Sequence, residues 1–193
     1  MLDAVIIGAG VVGAFVARSL SRYRLDVCVL EKEADVAMGA TRANSAIAHA
    51  GFDAKEGSLK ALLNVRGSEM MEETCKALGV KYNKCGSLVV GFSEEDRETL
   101  NSLLVRGEKN GVKELRIVER DELVKIEKNI GKSALLALYA PTGAIVCPYE
   151  LCMAALGNAM DNGVALKCDF TVSGIEKIDG GYSPNQHIIK YSY

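Results

Sequence analysis

Three glycines, Gly8, Gly10 and Gly13, and the carboxylate of Glu31 form the spacing with the clearest chemical meaning in this sequence. The glycines follow a short apolar run, and a second apolar run ends directly before Glu31. Gly8 allows the chain to turn sharply, Gly10 leaves room for a pyrophosphate, and Gly13 lets a helix pack closely on the strand. The pattern predicts strand, glycine turn, helix, strand and acid, which is the order of a dinucleotide-binding βαβ unit.

The helix of this unit is predicted to present its first-turn N–H groups to a phosphate, aided by the helix dipole. Its apolar residues at helical spacing fall on one face, formed by Val12, Phe15, Val16 and Leu20. Glu31 can accept both hydroxyls of an adenosine ribose. A 2′-phosphate would meet like charge there, although Lys32 weakens this argument against NADP.

The second candidate for chemistry is the stretch GATRANSAIAHAG, residues 39–51. It is rich in small side chains and has little periodicity. Small side chains allow backbone N–H groups to approach a partner closely, whether that partner is another chain segment or a ligand.

Composition excludes several classes of function. The 193 residues are 49% apolar and 25% charged with a net charge of −2, which gives no indication of nucleic-acid binding or of a polybasic membrane contact. No apolar run is long enough to span a bilayer. The N-terminus enters a strand at once, which predicts no signal peptide and hence a cytoplasmic location, with peripheral association at a membrane left open.

The six cysteines do not indicate a metal site. They form no CxxC pair, and the lone CxxxxC of Cys147 and Cys152 has no matching second half. We therefore expect reduced thiols and no metal ligands.

The remaining pattern predicts an alternation of helices and strands. Ser58 is expected to cap a helix that ends near Leu78 and buries several apolar residues, namely Leu59, Leu62, Leu63, Val65 and Met70. A final helix beginning at Pro148, followed by a strand over 164–170, is expected to return a parallel strand to the first sheet. A strand is expected over 172–178, and no clear pattern follows from Tyr182 on.

These elements predict an α/β fold, a Rossmann-like FAD/NAD(P)-binding domain with an inserted α+β substrate domain. Residues 1–80 and 147–193 are assigned to the cofactor domain, which would be discontinuous and incomplete at its C-terminal end. Residues 81–146 are assigned to part of the substrate domain.

At this level the sequence resembles the D-amino-acid-oxidase-like superfamily of FAD-dependent oxidoreductases. The opening DAVIIGAGVVGAFVARSLSRYRLDVCVLEK matches the ADP-binding start of that superfamily. GATRANSAIAHAG resembles the second FAD segment of anaerobic-type glycerol-3-phosphate dehydrogenases and of L-2-hydroxyglutarate dehydrogenases. KCGSLVVGFSEED and ALYAPTGAIVCPYEL are similar to the substrate-domain edge and the return to the FAD domain.

The resemblance implies FAD as the cofactor, with its adenosine end on the glycine turn. It implies that Thr41, Asn44 and Ser45 wrap the pyrophosphate and the inner edge of the flavin, that the backbone of Val172 meets the adenine, and that His49 lies near the flavin ring. His49 is the candidate catalytic residue. The full set of predicted cofactor-binding residues is Gly8, Ala9, Gly10, Val11, Val12, Gly13, Glu31, Lys32, Ala40, Thr41, Asn44, Ser45, His49 and Val172.

The implied reaction is oxidation of a small anionic secondary alcohol, most simply sn-glycerol 3-phosphate, by hydride transfer to flavin N5 and onward to a quinone or another acceptor. An L-2-hydroxyacid dehydrogenase or oxidase of the 2-hydroxyglutarate type is the second interpretation. A truncated, non-catalytic nucleotide-binding module is the third, because family members are much longer than this chain. An NAD-binding Rossmann domain is disfavoured, since such a domain does not need the second glycine- and alanine-rich segment.

Overall fold

The computed structural model of the chain describes residues 2–186. The helices are α1 (Val11–Leu20), α2 (Leu59–Leu78), α3 (Asp96–Lys109), α4 (Arg120–Ile126) and α5 (Pro148–Asp161). The strands are β1 (Ala4–Ile7), β2 (Val27–Leu30), β3 (Ile47–Ala48), β4 (Tyr82–Asn83), β5 (Ser87–Gly91), β6 (Arg116–Glu119), β7 (Leu136–Ala140), β8 (Ala144–Val146), β9 (Ala165–Lys167), β10 (Val172–Ile178) and β11 (Gly181–Gln186).

The chain forms two compact units. The first contains the chain up to Ser45, the short segment Leu78–Val80 and the chain from Cys147 onward, and the second contains Ala46–Ala77 and Lys81–Val146. Residues 46–77, which the sequence interpretation placed in the cofactor domain, therefore group with the second unit. The functional assignment of the two domains stays a prediction.

The first unit is built on a parallel sheet with the strand order β1-β2-β9. Val5 pairs with Cys28, and Cys28 pairs in turn with Ala165, so β2 is the central strand. The predicted return of a parallel strand after α5 is confirmed. It is shorter than expected, because Asp169 adopts a positive φ of 55°, which ends the extended conformation.

Helices α1 and α5 pack on one face of this sheet around the buried residues of the first core. The buried residues of α1 are Ala14 and Ala17, whose small side chains permit close helix packing. Phe15 is partly buried and packs against the same core, whereas Val12 is 75% exposed. Val12 and Val16 stay exposed, since the face of α1 with alanines is the one that meets the core.

Strands β10 and β11 form an antiparallel hairpin that turns at Gly180, where φ is +77°. Residues 182–186, for which the sequence shows no clear pattern, form most of β11, and residues 187–193 lie outside the described residues. Strand β11 contains polar residues and Pro184, so its own composition does not favour a strand. Its pairing with β10, including Pro184 opposite Ile175, supplies the missing stabilisation.

The second unit contains two antiparallel sheets, ordered β3-β8-β4 and β5-β7-β6. Strand β7 is buried along most of its length and separates two small cores. One core includes Leu100 of α3 with Leu136 and Leu138, and the other includes Val118 with Leu123 of α4.

Helix α2 begins as predicted after Ser58, whose hydroxyl accepts a hydrogen bond from the Ala61 N–H at 3.2 Å. The predicted burial of its large apolar residues is wrong for four of them, which are exposed: Leu59, Leu62, Leu63 and Met70. The buried positions of α2 are Ala61 and Cys75. Within residues 2–186, no helix is both long enough and apolar enough to cross a membrane.

Candidate functional site

The glycine turn between β1 and α1 has a backbone that depends on glycine at two positions. Gly8 has a φ of +100°, which side-chain-bearing residues rarely adopt. A Cβ placed on Gly13 would overlap the carbonyl oxygen of Gly8. Gly10 has an ordinary φ of −77° and is the N-cap of α1 without a side-chain cap. The fold therefore requires glycine at positions 8 and 13. The backbone angle at Gly10 is one that other residues can adopt, so glycine at this position has a different reason.

Ala9, between the first two glycines, is fully buried, and its backbone makes three hydrogen bonds. Its N–H donates to Oε2 of Glu31 at 2.7 Å, and its carbonyl accepts from the Ala37 N–H at 3.0 Å. The Cys152 thiol, at the start of α5, lies 3.5 Å from the same carbonyl oxygen and donates to it. Because the C=O and N–H of a trans peptide point in opposite directions, these contacts turn the Gly10 N–H away from the protein interior.

The Cys152 thiol is fully buried, and its pKa is raised to about 11 by this burial and by the negative charge of Glu31. The thiol is therefore protonated at neutral pH and can serve as a donor to Ala9. It is not a candidate nucleophile, since the reactive form of cysteine is the thiolate.

Glu31 is the most deeply buried carboxylate of this region, at 8% exposure. Each of its oxygens accepts one backbone hydrogen bond, from Ala9 to Oε2 at 2.7 Å and from Glu33 to Oε1 at 3.0 Å. A carboxylate has about four lone-pair positions, so both oxygens can still accept a hydrogen bond from a ligand. Glu31 can thus hold the glycine turn and bind a ligand hydroxyl at the same time.

Thr41 connects the small-residue segment to the start of α1. Its hydroxyl accepts a hydrogen bond from the Val11 N–H at 3.0 Å. Thr41 as a whole is 9% exposed. Asn44 stabilises this segment, since its side-chain amide donates to the carbonyls of Ala40 and Thr41 at 3.1 and 2.8 Å. The Thr41 hydroxyl keeps its own proton available for an acceptor such as a phosphate oxygen.

Two adjoining cavities of about 440 and 490 Å³ open around this turn and share Gly8, Gly10 and Thr41 in their walls. Most of the predicted cofactor-binding residues line one or both of them: Gly8, Gly10, Val11, Val12, Gly13, Glu31, Lys32, Ala40, Thr41, Asn44 and Val172. Residues separated by up to about 160 positions in the sequence, such as Gly10 and Val172, thus meet at one cleft of the first unit.

Three of the predicted residues do not line these cavities. Ala9 is buried behind the turn, and Ser45 is exposed beside the segment that Thr41 anchors. His49 belongs to the second unit, where it follows β3, is exposed, and accepts a hydrogen bond from the Asn64 side chain through its backbone carbonyl at 2.7 Å. The roles of all predicted site residues stay predictions.

The cavities also have wall residues that the sequence interpretation missed. These are mainly Glu33, Met38, Gly39, Phe170 and Thr171. The position of Phe170 and Thr171, directly before the predicted contact Val172, was an available signal. Phe170 is drawn to the cleft because its N–H donates to the Glu31 carbonyl at 2.8 Å, a contact that no sequence pattern indicates.

The electrostatics of the cleft favour an uncharged or hydroxyl-bearing group at Glu31. Lys32 is largely exposed, and its ammonium lies 3.3 Å from Glu33, which offsets its charge. Arg42 does not line either cavity, and its guanidinium contacts the Met38 sulfur at 3.3 Å. A phosphate in this cleft would therefore be held chiefly by the N–H groups at the start of α1.

Known proteins match this chain over nearly its whole length. The family model for FAD-dependent oxidoreductases (DAO) matches residues 3–187. A glycerol 3-phosphate dehydrogenase of Caloramator mitchellensis is 46% identical over 182 residues, which is 94% of this chain and 38% of that protein. The L-2-hydroxyglutarate dehydrogenase of Homo sapiens is 35% identical over 176 residues, which is 90% of this chain and 38% of that protein.

Among solved structures, the dithionite-reduced L-α-glycerophosphate oxidase of Mycoplasma pneumoniae with FAD bound superposes with a TM-score of 0.88 at 29% identity. The match covers 94% of this chain and 48% of that chain. The chain thus spans less than half the length of these relatives.

The predicted α/β fold with a Rossmann-like cofactor domain and the predicted family cofactor, FAD, are both confirmed by these matches. The match with the family model extends over nearly the whole sequence, and the glycine turn, Glu31 and the Thr41 segment lie within it. This chain belongs to the DAO family of FAD-dependent oxidoreductases.

Proposed function

We propose that the cleft of the first unit binds the ADP half of FAD. The observation that carries this proposal is the cradle at Gly10, where a Cβ would come within 3.2 Å of the Thr41 hydroxyl oxygen. A side chain would fill the space between the start of α1 and Thr41, and this is the space that a pyrophosphate needs. The residues present therefore fit the cofactor that the family uses.

In this arrangement each residue has a separate task. The Gly10 and Val12 N–H groups face the pyrophosphate, and Thr41 donates its hydroxyl proton to it. Glu31 accepts hydrogen bonds from the adenosine ribose hydroxyls, and the backbone near Val172 borders the adenine. When bound, FAD supplies the hydride-accepting chemistry, and the protein supplies position and electrostatics.

The substrate that we propose for the complete enzyme is sn-glycerol 3-phosphate. Support comes from the Caloramator mitchellensis relative, at 46% identity, and from a Mycoplasma pneumoniae glycerol 3-phosphate oxidase that is 30% identical over 184 residues. L-2-Hydroxyglutarate is the second candidate, because relatives of that name are 33–37% identical. Both substrates are small anionic secondary alcohols.

The direct test of the cofactor proposal is an absorption spectrum of the chain purified without added cofactor, followed by titration of the apo-protein with FAD. We expect flavin absorbance in the purified protein or saturable quenching of flavin fluorescence in the titration. Absence of both from a folded sample would contradict the proposal. ADP should compete with FAD, since the contacts that we assign lie on the ADP half.

We expect Glu31→Ala to weaken FAD binding by about 1.5–3 kcal/mol, the range for hydrogen bonds to a charged group. The variant also removes the acceptor of the Ala9 N–H, so the midpoint of urea unfolding should fall as well. The measurement is a fluorescence titration of apo-protein. Glu33→Ala is the matched control, because Glu33 lines the same cavity but accepts no hydrogen bond from the glycine turn. Equal FAD affinity in wild type and Glu31→Ala would refute the ribose role.

We expect this chain alone to show weak or absent turnover with glycerol 3-phosphate, even when FAD is added. The reason is that it spans only 38% of its Caloramator mitchellensis relative. Dye reduction under anaerobic conditions is the measurement, with L-2-hydroxyglutarate tested in parallel. Robust reduction with either substrate would show that the remaining part of the family fold is dispensable.

The resemblance implies that His49 lies near the flavin ring, where a positive charge on its imidazole would stabilise the reduced, anionic flavin. The variant is His49→Asn in the full-length parent enzyme, where asparagine keeps hydrogen-bonding capacity but cannot carry a positive charge. We therefore expect a lower flavin reduction potential and slower reduction, with unchanged FAD affinity. Spectroelectrochemical titration of FAD-loaded protein measures the potential. A variant with unchanged potential and reduction rate would remove His49 from the flavin site, and lower thermal stability alone would indicate a structural role.

A further inference from the structure

The peptide group that joins Ala9 to Gly10 has its carbonyl oxygen bound twice. The Ala37 N–H donates to this oxygen at 3.0 Å, and the Cys152 thiol donates to it at 3.5 Å. One hydrogen bond is enough to satisfy a buried carbonyl, although its oxygen has two lone pairs. The second donor is therefore not needed to satisfy a buried polar group, and its effect is to fix the direction of this peptide.

The first of these donors is held in a strained backbone conformation. Ala37 has a φ of 59° and is 1% exposed, and residues that carry a Cβ rarely adopt this left-handed conformation. The folded unit maintains this strain at a residue whose N–H points at the Ala9 carbonyl. Two donors from distant segments, one of them strained, thus converge on the same oxygen.

The opposite side of the same peptide carries the Gly10 N–H. In a trans peptide the N–H points away from the C=O, so the two donors direct the Gly10 N–H towards the cavities that Gly10 lines. The Gly10 carbonyl already belongs to α1, since it accepts from the Ala14 N–H at 2.9 Å. Within residues 2–186, no hydrogen bond uses the Gly10 N–H as donor, so it is available to an acceptor in the cleft.

The donor from α5 comes from a helix face that is otherwise apolar. Helix α5 lies entirely within the described residues, and its buried residues are Leu151, Cys152, Ala155, Leu156 and Ala159. Among these, only the cysteine carries a side-chain hydrogen that can be donated. Its thiol is fully buried and has a pKa raised to about 11, so this hydrogen is present at neutral pH.

We propose that Cys152 is a positioning residue of the pyrophosphate site, which we place between the start of α1 and Thr41. Its thiol, together with the Ala37 N–H, holds the Ala9–Gly10 peptide in the orientation in which the Gly10 N–H faces the pyrophosphate. Cys152 acts through this peptide and not by contact, since it is absent from the described walls of both cavities. The inference rests on the proposed function, because it requires the ADP half of FAD to occupy the cleft.

Three substitutions separate the donor from the volume of the side chain. Cys152→Ser keeps a donor and loses volume, whereas Cys152→Ala loses both. Cys152→Val keeps an apolar side chain of similar volume and loses the donor. If position 152 only fills the core, the affinity for the cofactor should follow the stability of the three variants. If it positions the peptide, the affinity should follow the presence of the donor.

The measurements are fluorescence titration of apo-protein with FAD, competition by ADP, and urea unfolding. We expect Cys152→Ala and Cys152→Val to weaken both ligands about fivefold, which corresponds to the loss of one neutral hydrogen bond. Cys152→Ser should stay within about twofold of wild type. The unfolding midpoints should follow a different order, with Cys152→Val near wild type and the two smaller side chains below it.

Cys28 supplies the matched control. It is 2% exposed in the same unit, and its thiol donates to the Val29 carbonyl in β2 at 3.7 Å, not to a carbonyl of the glycine turn. Cys28→Val therefore makes the same chemical change at an equally buried cysteine without altering the Ala9–Gly10 peptide. We expect its ADP affinity to equal that of wild type.

The orientation of the peptide can be measured directly by NMR with glycine-selective ¹⁵N labelling. The Gly10 amide is assigned by the resonance that disappears in Gly10→Ala. We expect Cys152→Val to shift this resonance in the apo-protein and to reduce the further shift that ADP causes. Cys152→Ser should leave both close to wild type. A residue that only fills space would not produce this difference between valine and serine.

Equal ADP affinity in Cys152→Ser and Cys152→Val would overturn the inference, and so would an equal loss in Cys28→Val. Binding of FAD by wild type that no Cys152 variant changes would overturn this inference alone and leave the proposed function intact. Failure of wild type to bind either FAD or ADP would overturn the proposed function, and the inference with it. The titration of wild type therefore distinguishes the two failures.

Discussion

Gly10→Val is expected to abolish FAD binding and to leave the fold of the first unit intact. Gly10 has a φ of −77°, which valine can adopt, and a Cβ there would approach only the Thr41 hydroxyl oxygen, at 3.2 Å. At this distance the Thr41 side chain has to give by only a few tenths of an ångström, so we expect a small cost to stability. The branched side chain would then occupy the space that we assign to the pyrophosphate.

We expect the FAD affinity of Gly10→Val to fall at least about hundredfold, which corresponds to about 2.8 kcal/mol. Flavin fluorescence titration measures the affinity, and circular dichroism with urea unfolding checks the fold. Gly157→Val is the control, since Gly157 lies in α5 of the same unit and a Cβ there meets no atom within 4 Å. Full flavin occupancy in Gly10→Val would contradict the placement of the pyrophosphate.

Gly13→Ala is expected to have the opposite signature, which is a loss of stability that precedes any effect on the cofactor. The added Cβ would overlap the Gly8 carbonyl oxygen, and a main-chain atom cannot move aside as a flexible side chain can. Either α1 must shift away from β1 or the turn must rearrange. We expect a destabilisation of about 3 kcal/mol, the upper part of the range for overpacked interiors.

Gly157→Ala is the matched control for this change as well, because both glycines lie inside helices of the same unit. Alanine at an unobstructed helical position should stabilise the protein by about 0.5–1 kcal/mol. Urea unfolding monitored by circular dichroism gives both values. Similar unfolding midpoints for Gly13→Ala and wild type would show that the close approach of α1 to β1 is not required.

Together the two variants distinguish a glycine that the fold requires from a glycine that the cofactor site requires. Gly13 would be required because the helix lies against the strand, and Gly10 because the ligand lies against the helix. The sequence motif predicts these two different tasks, and the contact that each added Cβ would make is the physical basis for testing them separately.

The start of the fold could be predicted from the sequence because its determinants are local. Gly8, Gly10, Gly13 and Glu31 lie within about 25 residues, and each acts through backbone freedom or charge at its own position. The cap at Ser58 has the same character, since its hydroxyl bonds to an N–H three residues away. Such features depend on residue type and short spacing, and both can be read directly from the sequence.

Burial could not be predicted in the same way, because it depends on which face of an element finds a partner. Val12 has the hydrophobicity of a core residue, yet α1 turns its alanines inward and leaves Val12 exposed. The large apolar residues of α2 are exposed for the same reason. Hydrophobic periodicity identifies a helix, but the packing partner decides which side of it is buried.

The βαβ start, its acid and the resemblance to the FAD-dependent family could all be read from the residues and their spacing. The contacts that hold the cleft together depend instead on how distant segments pack. The Cys152 thiol meets the Ala9 carbonyl across 143 positions of sequence, and Thr41 meets the Val11 N–H across 30. These contacts arise because α5 packs beside α1 and because the small-residue segment folds back over the helix start. No local pattern encodes either pairing, since both depend on the free energy of the whole folded unit.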